Sequence, residues 1–271
     1  MRIATWNINS INVRLPHILD WLNKQNNNNE AVDILCLQEL KLTNEKYPLT
    51  EFDNIGYSSL INGQKTYNGV AILIKQNSQW QSVQSIIKQN PKFDDPQHRL
   101  ISATVGQKNS DIRIVCAYFP NGQAPGTEKF AYKLAWLDAL YDWLTEEIKH
   151  YPRIALLGDF NIAPEDRDVH APEKWLGCNL VSPEERAAFK NLEQLGFRDA
   201  FRLFPQADDQ FSWWDYRKAS FRRNAGLRID HILLSKALAE KCSNCIIDSE
   251  PRSWKQPSDH APVIATLDLP S

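Results

Sequence analysis

The residues of this chain best suited to chemistry are Asn7, Glu39, Tyr118, Asp159, Asn161, Asp230, Asp259 and His260. Each is polar, and each borders or interrupts a strongly apolar run. Carboxylates and amides with a single nearby histidine suggest hard oxygen ligation, which suits Mg²⁺, or Mn²⁺, better than zinc. Asp230 paired with His260 would orient the imidazole and favour its charged form. A charged imidazole beside a divalent cation suits a phosphoryl oxygen that gains charge in a transition state. Asp159 is then free to orient or deprotonate a water.

The stretch from Arg153 to Pro164 anchors this reading. Ile154 to Leu157 is an apolar run between Pro152 and Gly158, the mark of a buried strand. Gly158 permits a sharp backbone change, and Pro164 ends regular structure. Asp159 and Asn161, two apart in extended backbone, project to one side. Taken alone, this is also how a polar turn after a strand reads. Other elements carry the remaining groups. Arg2 to Asn9 reads as a first strand and Val13 to Lys24 as a helix, with Gln25 to Asn29 a polar loop. Val32 to Glu39 reads as a second buried strand, with Lys41 just beyond it. Adjacent strands joined by a helix run parallel, so Asn7 and Glu39 share the sheet edge where open α/β sheets place ligands. A strand-end Glu also suits a solvated rim.

Antiparallel strands are expected over Tyr57 to Ile61, Gly69 to Ile74, Leu100 to Val105 and Ile112 to Tyr118, with Asn-Gly turns at 62–63 and 68–69. Glu128 to His150 reads as a long amphipathic helix, and 164–181 as a long charged loop. Ser182-Pro-Glu-Glu185 opens a helix with capping-box spacing, stopped by Gly196. Gly226 to Leu234 reads as a strand with Asp230 embedded, and a buried carboxylate needs a partner. A last strand follows Asp259-His260. No repeat or composition break divides residues 1–271, so a single domain is expected.

The net charge of −2 places any claim of nucleic-acid binding on a local patch. The most basic stretch holds Arg217, Lys218, Arg222, Arg223 and Arg228, interleaved with Trp213, Trp214, Tyr216 and Phe221. Such mixtures suit phosphates and base stacking, although a solvated loop with Arg stems laid on aromatic rings has the same composition. No apolar run approaches bilayer length, and no signal-peptide layout opens the chain. Cys36 and Cys116 read as core residues of a reducing cytoplasm. Cys242-x-x-Cys245 has metal or redox spacing but no second pair.

Six motifs, taken in order, carry a family resemblance: Trp6-Asn7, Leu37-Gln-Glu39, Tyr118-Phe-Pro-Asn121, Gly158-Asp-Phe-Asn-Ile-Ala-Pro164, Gly226-Leu-Arg-Ile-Asp230 and Ser258-Asp-His-Ala-Pro262. The chain resembles the exonuclease III family of abasic-site endonucleases, especially its bacterial members, within the endonuclease/exonuclease/phosphatase superfamily. The resemblance implies a four-layer α/β sandwich, with two mixed β-sheets packed face to face and helices outside. It implies Mg²⁺-dependent hydrolysis 5′ to an abasic site in duplex DNA, with 3′-5′ exonuclease and 3′-end-cleaning activity, by a monomer. By matching motifs, Glu39 would be the principal metal ligand, helped by Asn7 and Asp259. Asp159 would activate water, with Asn161 and Asn121 on the phosphate and Tyr118 on the phosphate or leaving group. His260, oriented by Asp230, would contact the phosphoryl oxygen. Lys41, Arg217, Arg222 and Arg223 are the expected DNA contacts. Trp213, Leu227 and Ile229 would line a pocket for a base-less sugar.

Two positions depart from relatives. Asn9 stands where some members carry Asp, and Leu227 where animal relatives carry Trp; the second would loosen discrimination toward exonuclease action. Inositol-polyphosphate phosphatases, sphingomyelinases and deoxyribonuclease I share the core motifs, so the substrate is less fixed than the reaction. A non-catalytic DNA-binding scaffold would need none of these site residues.

Overall fold

The computed structural model describes residues 1–107 and 110–269. β1 (Arg2–Asn7) passes through α1 (Ile11–Asn27) to β2 (Ile34–Gln38), and the two strands are parallel, with Asn7 opposite Gln38. After the short α2 (Leu49–Asn54), β3 (Tyr57–Asn62) and β4 (Val70–Lys75) form an antiparallel pair beside β2. β5 (Val83–Ile87), β6 (Leu100–Val105) and β7 (Ile112–Tyr118) open a second sheet. α3 (Glu128–His150) then crosses to β8 (Ile154–Asp159), parallel to β7, with Tyr118 opposite Asp159. α4 (Pro183–Gln194), β9 (Phe197–Asp199), β10 (Asp230–Ser235), α5 (Lys236–Ala239), β11 (Cys242–Ile247) and β12 (Val263–Leu267) complete the chain.

Both sheets are mixed and six-stranded, ordered β11-β12-β1-β2-β4-β3 and β5-β6-β7-β8-β10-β9. One apolar layer, including Ile34, Ile72, Ile114, Leu157 and Ile232, lies between them. α1 covers the outer face of the first sheet through Trp21 and Leu22, and α3 and α4 cover the second through Trp136, Leu140 and Phe189. The four-layer α/β sandwich expected from the motifs is therefore present. Fully buried strands read as unbroken apolar runs, which is why β2, β4 and β8 are conspicuous in the sequence.

Several local expectations need correction. Helix α1 absorbs Gln25 to Asn27, because Gln25 is buried and accepts a hydrogen bond from Arg2. β5, β9 and β11 have no apolar signature: β5 is largely exposed, β9 is three residues long, and β11 is an edge strand with a register irregularity. The strand expected from Gly226 begins at Asp230. Residues 226–229 instead cross to a loop, with Leu227 bridging Val169 and Trp213. A Cβ at Gly226 would lie 2.6 Å from the Trp213 carbonyl oxygen, so glycine permits that approach. Cys245 is a free thiol buried in the inter-sheet core, and Cys242 is a free thiol partly buried against it.

Candidate active site

The parallel pairs β1–β2 and β7–β8 end at one edge of the sandwich and deliver Asn7, Glu39, Tyr118 and Asp159 there. Gly158 allows the last approach, since a Cβ on it would lie 1.8 Å from the Ala117 carbonyl oxygen. The Asn7 amide bridges the two acids: its Nδ2 donates to Glu39 Oε1 and Asp159 Oδ2, both at 2.9 Å. Asn161 donates its backbone N–H to Asp159 Oδ1 at 2.9 Å, fixing the carboxylate from the other side. Asn161 adopts φ +50°, and Glu39, Lys41 and Asn9 have φ of +56°, +57° and +45°. Left-handed backbone costs non-glycine residues roughly 1–2 kcal/mol each, and here it gathers around one basin.

His260 arrives with the loop before β12. Its Nδ1 lies 2.8 Å from Asp230 Oδ2, which also accepts from Ser212 Oγ at 2.7 Å. The carboxylate embedded in β10 thus has the partners its burial demands. His260 Nε2 faces Asp159 Oδ2 at 3.7 Å. Burial works against a charged ring, but the carboxylates of Asp230 and Asp159 outweigh it and hold His260 up to about 10. Burial, reinforced by Asp230 and opposed by His260, lifts the Asp159 carboxyl up to about 7. Asp159 is therefore a base poised near neutrality. Tyr118 is pushed well above its ordinary phenol value by burial, then by Glu39 and Asp159, so it remains a donor. Arg99 stacks over its ring at 4.9 Å.

Ligand atoms of Glu39, Asp159 and His260 lie within 4.8 Å of one another. A charged imidazole donates and does not ligate, which leaves carboxylate oxygens as the donor set and favours a hard divalent cation. Glu39 Oε2 meets Lys41 Nζ at 2.8 Å, and Lys41 also reaches Asn9 Oδ1 at 2.5 Å. Asn7 turns its NH₂, not its oxygen, toward the acids. Asp259 is engaged by Trp213 Nε1 at 3.0 Å and Asn9 Nδ2 at 2.9 Å. Its carboxyl is held below the usual range because the His260 charge and these hydrogen bonds outweigh its burial.

Asn121 donates to Asn161 Oδ1 at 3.0 Å, so the two amides expected on phosphate sit side by side. Asn179, unremarked in the sequence, donates to Asn121 Oδ1 at 3.0 Å; an amide in a long loop was its only signal. Leu227 and Ile229 are buried with Ala163, Val169 and Leu180, whereas Trp213 is half-buried against them. The basic segment divides. Arg222 and Arg223 are exposed, and Arg217 grips Asp215 at the surface. Arg228 is buried, 2.7 Å from both Asp168 and Asp199, and Trp214 is buried beneath Arg252. These two hold the fold and are unavailable to a ligand.

Residues 4–260 match the family described as Endonuclease/Exonuclease/phosphatase. The chain belongs to that family. It is 36% identical to exodeoxyribonuclease III of Haemophilus influenzae, over 98% of this chain and 99% of that one. It is similar to a solved structure of a 3′ phosphatase from Neisseria bound to a product DNA hairpin, at 42% identity, a TM-score of 0.91 and 99% coverage of each chain. It is also similar to an AP endonuclease from Archaeoglobus fulgidus, at 35% identity and a TM-score of 0.89, covering 99% and 100% of the two chains.

Proposed function

We propose that this family member is a DNA-repair nuclease that hydrolyses the phosphodiester 5′ to an abasic site in duplex DNA and trims or cleans 3′ ends. The observation that carries the reading is the contact of His260, charged by Asp230, with a buried Asp159 beside Glu39. Asp159 takes a proton from the attacking water. Nε2 of His260 donates to a phosphoryl oxygen as charge develops on it. The neutral Tyr118 phenol donates to the phosphate or the leaving oxygen. Asn121 and Asn161 hold the phosphate, and Lys41 places a positive charge next to Glu39. When bound, Mg²⁺ or Mn²⁺ would supply Lewis-acid polarisation, with Glu39 as its principal ligand, while Asn7 and Asp259 hold the acids and Trp213 around it.

The names of the relatives, the hairpin-bound Neisseria structure among them, support duplex DNA as substrate. Exposed Arg217, Arg222 and Arg223 are the proposed phosphate contacts on that face. Both sheets contribute to one basin, which supports reading the chain as one domain acting as a monomer. Five free thiols support a cytoplasmic setting, and no helix among the described residues is long and apolar enough to cross a membrane.

A second reading gives 3′-phosphate removal precedence over abasic incision. It is favoured by the name of the 42% identical relative and by Leu227 and Ile229, which at 1% and 2% exposure offer a base-less sugar no open lodging. The test is Mg²⁺-dependent turnover of four substrates: a duplex with one abasic analogue, a 3′-phosphate duplex, an intact duplex and an inositol phosphate. Cleavage of the abasic duplex ahead of the others supports the first reading. Preference for the 3′-phosphate supports the second, and preference for the inositol phosphate rejects both.

A further inference from the structure

Beneath the phosphate-facing asparagines lies a charge that the catalytic reading does not use. Lys133, on α3, is 0% exposed, and so is its ion-pair partner Glu185 at the start of α4. Lys133 Nζ donates to the backbone carbonyl of Asn161 at 2.7 Å and to that of Asn121 at 3.4 Å. Glu185 accepts from the backbone N–H groups of Leu180 and Ser182, both at 3.0 Å. One buried pair therefore ties together the segment after β7, the segment after β8 and the end of the long loop next to Asn179. The fit over the lysine stem is close: a Cβ on Gly122, at φ +85°, would lie 2.9 Å from Lys133 Cδ. A buried ion pair adds little net stability over a well-packed apolar pair, because desolvation offsets the attraction. What it can supply is a fixed position, through donors and acceptors with a set geometry.

We propose that Lys133, backed by Glu185, is a positioning residue that sets Asn121 and Asn161 on the phosphate from behind their backbone. The inference rests on the nuclease reading for its kinetic consequence. Its structural part, the clamping of the two segments, stands independently. Lys133→Met alone strands Glu185 and lowers stability, so the informative variant is K133M/E185Q, which removes both charges. In that variant the melting temperature falls less than in Lys133→Met, while backbone hydrogen exchange at 121–123 and 160–163 speeds up. The Mg²⁺-dependent kcat on a 3′-phosphate or abasic duplex falls by about 10- to 100-fold, the scale of a misplaced contact group, with KM within about twofold, since most duplex affinity comes from backbone contacts elsewhere. K133R, which keeps a donor, recovers part of the kcat. Parental exchange and parental kcat in K133M/E185Q would overturn the proposal and leave Lys133 a fold residue only. A parent inactive on every DNA substrate would reject the nuclease reading, while the exchange measurement would still decide the clamp.

Discussion

The two crossover units, β1-α1-β2 and β7-α3-β8, are built alike and used differently. Each is a parallel pair at the centre of its sheet, and each ends with a polar residue at the same edge. The first delivers Glu39, whose side chain is 17% exposed and paired with Lys41. The second delivers Asp159, 1% exposed and enclosed by Asn7, Asn161 and His260. The helices differ in the same sense. α1 has no side-chain cap, whereas α3 is capped by Thr127 and reaches under the site with Lys133. The same strand-end position thus yields a wet acid suited to a cation and a dry acid suited to a proton. Burial, set by neighbouring loops, makes the difference.

This contrast can be broken experimentally. Chelation with EDTA is expected to silence turnover, and added Mg²⁺ to restore it; metal-independent cleavage would remove the cation from the Glu39 side. Asp159→Asn is expected to lower kcat by about 10²- to 10⁴-fold, the range for a general base, while duplex binding persists in a gel-shift assay. Glu39→Gln should act through the metal: the Mg²⁺ concentration for half-maximal rate rises by about 10-fold or more, with saturated kcat less affected than in Asp159→Asn. If the two variants lose kcat equally with unchanged Mg²⁺ demand, the two acids are not distinct in role.

A quieter site sharpens the comparison through stability. His231, adjacent to Asp230, is 1% exposed, accepts from Arg228 Nη1 at 3.1 Å and donates from Nε2 to the Ile162 carbonyl at 2.8 Å. Burial, then the Arg228 charge, lowers it to about 4. The unfolded chain therefore takes up this proton first, and the contribution is full above the ordinary value of about 6.5. It is lost as pH falls toward 4, an acid loss of about 3 kcal/mol. Denaturant melts between pH 7 and 4 measure it, and His231→Gln should flatten that limb. His260 shifts the opposite way, so the imidazole that follows Asp230 in the chain and the one bonded to its carboxylate carry opposite charge states. The smallest effect concerns Trp213→Ala. Abasic incision should fall several-fold more than 3′-phosphate removal, on the scale of about 1 kcal/mol; equal losses would detach Trp213 from sugar selection.

Much of this was legible beforehand. Helix α3 spans the residues its periodicity marks, and the Ser182–Glu185 capping box forms as spaced. Glu39, Asp159 and His260, separate in sequence, do meet. Arg228 was not legible: in a run of arginines, composition does not separate a phosphate contact from a cation sealed between Asp168 and Asp199. Lys133 was hidden too, because one lysine on an amphipathic helix reads as its wet face.

By itself the sequence determined the buried central strands and the long helix, because apolar runs, periodicity and caps are local signals. Which carboxylate would be dry, which histidine charged and which arginine structural was decided only when the sheets stacked and the loops closed over their edge. Those properties depend on distances between residues far apart in the chain, such as the 3.7 Å from His260 to Asp159, and no local pattern encodes them.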